Sequence, residues 1–128
     1  MKFLGIDYGA RRVGLAISDT EGMIAFPHTV VPNNDGLVQT IAEVIQKERV
    51  GGVVIGDTRA LSGAENPITR EAKEFARVLS AHTGVPVATI WEAWSSVEAS
   101  RFAPKGREHD DAAAAAVILQ RYLDTKQS

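Results

Sequence analysis

The sequence predicts an α/β fold: a five-stranded mixed sheet in the order 3-2-1-4-5, flanked by helices. Three observations lead there. The chain opens with three β-rich runs separated by turn residues. From Asp35 onward the apolar spacing changes to a helical period. The later run GGVVIGD is short and continuously apolar, the pattern of a strand buried in a parallel sheet. Two later strands, each reached through a helix, join the sheet by right-handed crossovers. Strand 1 therefore lies between the opening hairpin and the later strands.

The elements follow in order. KFLGIDY and RVGLAISD, joined by Gly9, Ala10 and Arg11, read as an antiparallel hairpin. A third strand lies within MIAFPHTVV. Leu37, Ile41, Val44 and Ile45 fall on one face of a first helix. Asp35 is its expected N-cap, Lys47 and Arg49 lie in its last turn, and Gly51 and Gly52 are its expected end. GGVVIGD is strand 4. Pro67 opens a second helix with Ile68, Ala72, Phe75, Ala76 and Leu79 on one face, and Gly84 stops it before strand 5, VPVATIW. A short helix from Ser96 to Arg101, the polar loop FAPKGREH and an alanine-rich helix from Asp110 complete the chain, alanine being the best helix former.

At 128 residues the chain reads as one domain over residues 1–128, able to bury roughly two-thirds of its unfolded surface. A hydrophobic share of 45% with 23% charged residues is ordinary globular usage, which argues against a disordered or fibrous chain. The formal net charge is -2, so a polyanion must be met by a local basic patch and not by the chain as a whole. The absence of cysteine excludes disulfides, thiolate metal sites and a cysteine nucleophile, and fits the cytoplasm. Asp7 interrupts the first apolar run too early for a signal peptide, and no apolar run is long enough to span a bilayer. The expectation is a soluble protein with no membrane partner.

Asp7 is the residue that calls for an explanation, since it places a carboxylate inside an apolar strand. The predicted topology brings several acids to one edge of the sheet. Asp7 ends strand 1, Asp57 ends strand 4, Glu92 follows strand 5, and Asp110 and Asp111 open the last helix. Gathered carboxylates raise the free energy of a site unless protons or cations neutralise them. Oxygen donors without thiolate favour Mg²⁺ or Mn²⁺. The plainer roles are turn capping for Asp7 and Asp57, and helix capping for Asp110 and Asp111.

GIDYGARRVGLAISD, GAENPITREAKEFARVLSAHTGVPV, SSVEASR and DAAAAAVILQRYL together resemble the RuvX/YqgF family of ribonuclease H-like nucleases over almost the whole chain. The resemblance implies a ribonuclease H-like fold and a metal-binding, catalytic triad that falls on Asp7, Glu92 and Asp111. It further implies processing of the 5′ end of pre-16S ribosomal RNA in ribosome biogenesis, or cleavage of branched DNA such as Holliday junctions in recombination. Three departures stand out. WEAWSS replaces the family's D-E-R-L-[ST]-[ST], which keeps Glu92 but puts Trp91, Ala93 and Trp94 where Asp, Arg and Leu are usual. Gly56, Asp57 and Thr58 stand in place of G-L-P, and the stretch before Asp111 is short. The triad is intact, so the departures bear on substrate choice and rate.

Two such cations about 4 Å apart suit in-line phosphodiester hydrolysis. Arg11, Arg12, Arg59, Arg70, Arg101, Lys105 and Arg107 are candidates to grip phosphates, the alternative for each being a solvated surface charge. Trp91 and Trp94 are candidates to stack on unpaired bases, or else belong to the core. His109 is a candidate metal or leaving-group partner, with an ordinary loop histidine as the alternative. The expected partner is nucleic acid, either structured or single-stranded RNA or branched DNA, bound by a monomer or a homodimer. Two other functions share the pattern: ATP-dependent phosphotransfer, for which the chain has no second domain to close over nucleotide, and noncatalytic nucleic-acid binding on the same fold.

Overall fold

Alternation along the central strands decides which helix covers which face. A computed structural model of the chain describes residues 1–56, 67–89 and 111–127. The strands are β1 (Phe3–Tyr8), β2 (Arg12–Ser18), β3 (Ala25–Pro32), β4 (Gly52–Gly56) and β5 (Val87–Thr89). The helices are α1 (Leu37–Glu48), α2 (Pro67–Thr83) and α3 (Asp111–Gln127). The sheet runs β3-β2-β1-β4-β5, as the sequence predicts. β1 pairs antiparallel with β2 and parallel with β4. β2 pairs antiparallel with β3, and β4 pairs parallel with β5.

Leu4, Ile6 and Tyr8 of β1 point to one face, where they pack with Val13, Leu15, Val53 and Ile55 beneath α1 and α2. Each fully buried side chain of this kind contributes about 1.5–3 kcal/mol relative to an exposed one. Phe3 and its alternating neighbours face the other side. There Phe3, Ala16 and Val54 pack against Ala115, Ile118, Leu119 and Leu123 of α3.

Small residues at particular points of that second face let α3 sit close to the sheet. A Cβ on Gly5 would lie 2.6 Å from Leu119 Cβ and 2.9 Å from the Ala115 carbonyl oxygen, so only glycine lets α3 come this close. The alanines of α3 therefore do more than favour helix: Ala114 and Ala115 are buried against the sheet. Gln120 fixes the same helix along the sheet edge, accepting from the Ala25 amide at 2.9 Å and donating to the Met23 carbonyl at 3.1 Å.

Helix ends differ from the expectation in detail. Asp35 does not cap α1. Gly36 occupies the N-cap with no side-chain cap, while Asn34 Oδ1 accepts from the Gly36 amide at 2.9 Å in a local turn. At the other end neither Gly51 nor Gly52 terminates α1. Arg49 takes the left-handed conformation itself, with φ 57° and ψ 48°, so that its own amide and that of Val50 satisfy the carbonyls of Gln46 and Ile45. Gly84, at φ 76°, ends α2 as predicted. The expected helix over Ser96–Arg101, the end of strand 5 past Thr89 and the Asp110 cap lie outside the described residues.

The β2–β3 turn is organised by Asp19. Its Oδ1 accepts from the amides of Met23 at 2.7 Å and Ile24 at 3.1 Å, and these bonds hold the carboxyl below its ordinary value of 3.8. Gly22 completes the turn at φ 71°. The register of β2 on β3 shifts between Leu15 and Ala16. Leu15 faces Thr29 while Ala16 faces Pro27, and Pro27 is tolerated at this irregularity on an edge strand.

Candidate active site

Asp7 is the next-to-last residue of β1, in a strand whose every residue is buried, and it is 3% exposed. Its neighbours across the sheet are Gly14 of β2 and Gly56 of β4. Two glycines flanking one carboxylate leave room above the sheet that larger side chains would fill. Alternation from Phe3 and Gly5, both of which touch α3 or its cluster, places Asp7 on the α3 face. Asp7 Oδ1 is buried and accepts no hydrogen bond among the described residues, although the residue has other interactions.

Asp111 is brought to the same spot from the far end of the chain. It is the first residue of α3, and a Cβ on Gly14 would collide with its backbone carbonyl. Gly14 is thus in register with Asp7 on one side and beneath Asp111 on the other. Two acidic residues remote in sequence thus share one glycine as a backbone neighbour. The Asp111 side chain is 14% exposed, and its Oδ2 lies 3.2 Å from Nε of Arg12, whose side chain is 48% exposed.

The hairpin turn between β1 and β2 is tied down by Asn33. Its side-chain amide donates to the Gly9 carbonyl at 2.7 Å, and its backbone amide donates to the Arg11 carbonyl at 2.9 Å. Arg11 is exposed in that turn, next to Arg12 at the start of β2. Arg70 is exposed in the first turns of α2, which packs on the opposite face of the sheet from α3. Glu92, the third expected acid, lies outside the described residues, as do Asp57, Arg59, Trp91, Trp94, Arg101, Lys105, Arg107 and His109. Among the described residues no three His, Asp or Glu side chains form a metal-binding group.

The donor set that is described fits a hard divalent cation: two carboxylates, one deeply buried, with no sulfur and no imidazole. Asn33 and Gly14 were not singled out in the sequence. The signal for Gly14 is its place between Val13 and Leu15 in the apolar interior of β2, since glycine in a strand interior marks a close approach of another backbone. A separate polar groove of about 430 Å³, lined by residues of α1, of the turn that ends it and of α2, including Glu43, Arg49 and His82, contains none of these side chains.

The five-stranded 3-2-1-4-5 sheet with an acid in mid-sheet and a helix opening on a second acid defines a ribonuclease H-like fold. Solved structures agree. A Thermus thermophilus RuvC in complex with a Holliday junction substrate matches with a TM-score of 0.60 at 18% identity, covering 100% of this chain and 96% of that one. The Fowlpox virus resolvase in complex with Holliday junction DNA matches at 0.59 and 11% identity, with both chains fully covered. The family model RuvX, described as Holliday junction resolvase, matches residues 1–125, and the chain belongs to this family. Relatives named "Putative pre-16S rRNA nuclease" include one from Maridesulfovibrio salexigens, 36% identical with 96% of this chain and 98% of the relative covered. Another, from Anaeromyxobacter, is 37% identical with both chains covered in full.

Proposed function

We propose that the protein is a metal-dependent nuclease that hydrolyses phosphodiester bonds in the 5′-end processing of pre-16S ribosomal RNA. The observation that supports the reading is that Gly14 is the cross-strand partner of Asp7 and also lies beneath the Asp111 backbone. A buried strand carboxylate and a helix-opening carboxylate brought to one edge of the sheet would raise the energy of the fold, and a divalent cation would offset that cost. The names carried by relatives 36–37% identical over nearly the whole chain favour the ribosomal RNA substrate.

Asp7 and Asp111 would hold Mg²⁺ or Mn²⁺, with Glu92 as the expected third donor. The ion supplies Lewis-acid activation of water and stabilisation of the leaving oxygen. The rest is done by this chain. β1 and α3 fix the two carboxylates on rigid elements, so their approach to the scissile phosphate costs little ordering. Burial of Asp7 lowers the local dielectric and strengthens its hold on cationic charge. Arg11 on the clasped hairpin turn, with Arg59, Arg70, Arg101, Lys105 and Arg107 as further candidates, would offset the repulsion between an acidic site and a polyanion. Trp91 and Trp94 would stack unpaired bases, which favours a single-stranded precursor end.

Cleavage of branched DNA is the second reading, favoured by the description of the family whose model matches residues 1–125. The test uses the purified full chain with Mg²⁺ or Mn²⁺ on matched substrates: a precursor RNA with its 5′ leader, a single-stranded DNA of the same sequence and a four-way junction. Cleavage of the RNA leader that is lost in Asp7→Asn supports the proposal. Cutting confined to the junction assigns the second reading, and binding without cutting of any substrate assigns a noncatalytic module.

A further inference from the structure

Among the described basic candidates, Arg12 is the one whose position differs most from a simple phosphate grip. It begins β2, and by alternation with Gly14 its side chain rises on the α3 face, beside the opening of that helix. Its Nε lies 3.2 Å from Asp111 Oδ2. The two ends of the pair differ in exposure, 48% for the arginine side chain and 14% for the aspartate. The aspartate is therefore the more enclosed end, on a helix seated against Gly14, while the arginine is the more exposed end, on a long side chain with a further interaction of its own. Enclosed anion and exposed cation are the parts of a displaceable counter-ion.

We propose that Arg12 is the resident counter-ion of Asp111, a positioning residue that neutralises and aligns this carboxylate until a divalent cation takes its place. The inference rests on the proposed metal site and adds to it a competition between guanidinium and metal for one carboxylate. Three consequences follow from the charges. Arg12 stabilises the metal-free protein by neutralising the largely buried Asp111 carboxylate. Metal entry must displace or loosen it, so wild-type affinity for the bare ion is lower than the carboxylates alone would give. Once displaced, the half-exposed guanidinium is available to a phosphate, as its place among the basic candidates suggests.

The experiment is calorimetric titration of the metal-free full chain with MnCl₂ alone, at low ionic strength, for wild type, Arg12→Gln, Arg12→Lys, Asp7→Asn and Asp111→Asn. Unit charges about 4 Å apart in water interact by an amount equivalent to roughly fivefold in an equilibrium constant. Arg12→Gln should therefore bind Mn²⁺ on the order of fivefold more tightly than wild type, Arg12→Lys should stay close to wild type, and added NaCl should shrink the difference. Thermal melting of the same metal-free samples should show Arg12→Gln folded and slightly less stable. Unchanged or weaker Mn²⁺ binding in Arg12→Gln, while Asp7→Asn and Asp111→Asn abolish binding, overturns the counter-ion and leaves the metal site standing. Equal tightening in Arg12→Lys and Arg12→Gln also overturns it, since charge would not be the cause. Absence of Mn²⁺ binding in wild type and in Arg12→Gln alike overturns the metal site and the counter-ion together.

Discussion

Gly14 lies directly beneath the backbone of Asp111, with no space between strand and helix for a Cβ. Because Gly14 is also the cross-strand partner of Asp7, this contact fixes how closely the backbone of Asp111 approaches the sheet beside Asp7. Gly14→Ala should push the start of α3 away from β2. A stability loss of about 1–3 kcal/mol is expected from overpacking, together with a fall in turnover per folded molecule. Gly5→Ala, which presses on Leu119 and Ala115 further along the same helix, is the control. It should cost comparable stability and leave turnover per folded molecule much closer to wild type. Denaturant unfolding with cleavage rates on both variants checks this, and wild-type turnover in Gly14→Ala would detach Asp111 placement from the reaction.

Arg11 sits exposed on a turn whose shape is fixed by Asn33, so its truncation should leave the fold intact. Arg11→Ala should weaken nucleic-acid binding and flatten the plot of log affinity against log salt by roughly 0.7–0.9, the contribution of one released phosphate contact. Binding isotherms over a salt series check this. A slope equal to wild type would return Arg11 to the solvated surface.

Trp91 and Trp94 separate by a pair of measurements. If they stack on bases, alanine at either position should cost about 1–3 kcal/mol of single-strand affinity and spare a paired duplex. If they are core, the cost is about 3–5 kcal/mol of folding stability, whatever the substrate. Melting and single-strand affinity of the same variants decide it.

Asp19 gives a pH signature far from the candidate site. Its carboxyl is held below 3.8 chiefly by the Met23 and Ile24 amides, so the native state favours the ionised form. The resulting stabilisation is present in full above the ordinary aspartate value and is lost as pH falls through the lowered native one. Asp19→Ala should therefore melt below wild type at neutral pH, and the gap should close in acid. A gap independent of pH would mean that the turn relies on shape and not on charge.

Much of this was legible in the sequence because strand and helix periods are local. The 3-2-1-4-5 order follows from five apolar runs and the handedness of their connections, and Asp7 announced itself by breaking an apolar strand. What was not legible depends on approach between distant segments. Nothing near Gly14 or Gly5 indicates which helix will rest on them, and Arg12 reads as one more surface charge until Asp111 is placed beside it. The ends of α1 misled for another reason. Asp35 is a good N-cap type and Gly51 a good terminator, yet Asn34 makes the local turn one residue earlier. At the other end, the burial of Val50 on the approach to β4 leaves Arg49 to adopt the left-handed conformation.

The account turns on Asp7, and one substitution tests it most directly. Asp7→Asn preserves the shape of the side chain but removes the anionic charge a divalent ion requires. Single-turnover cleavage of a precursor RNA bearing its 5′ leader, with saturating Mg²⁺ or Mn²⁺, should fall on the order of a hundredfold or more while the melting temperature stays near wild type. Cleavage by a folded Asp7→Asn protein at the wild-type rate would contradict the metal-dependent mechanism.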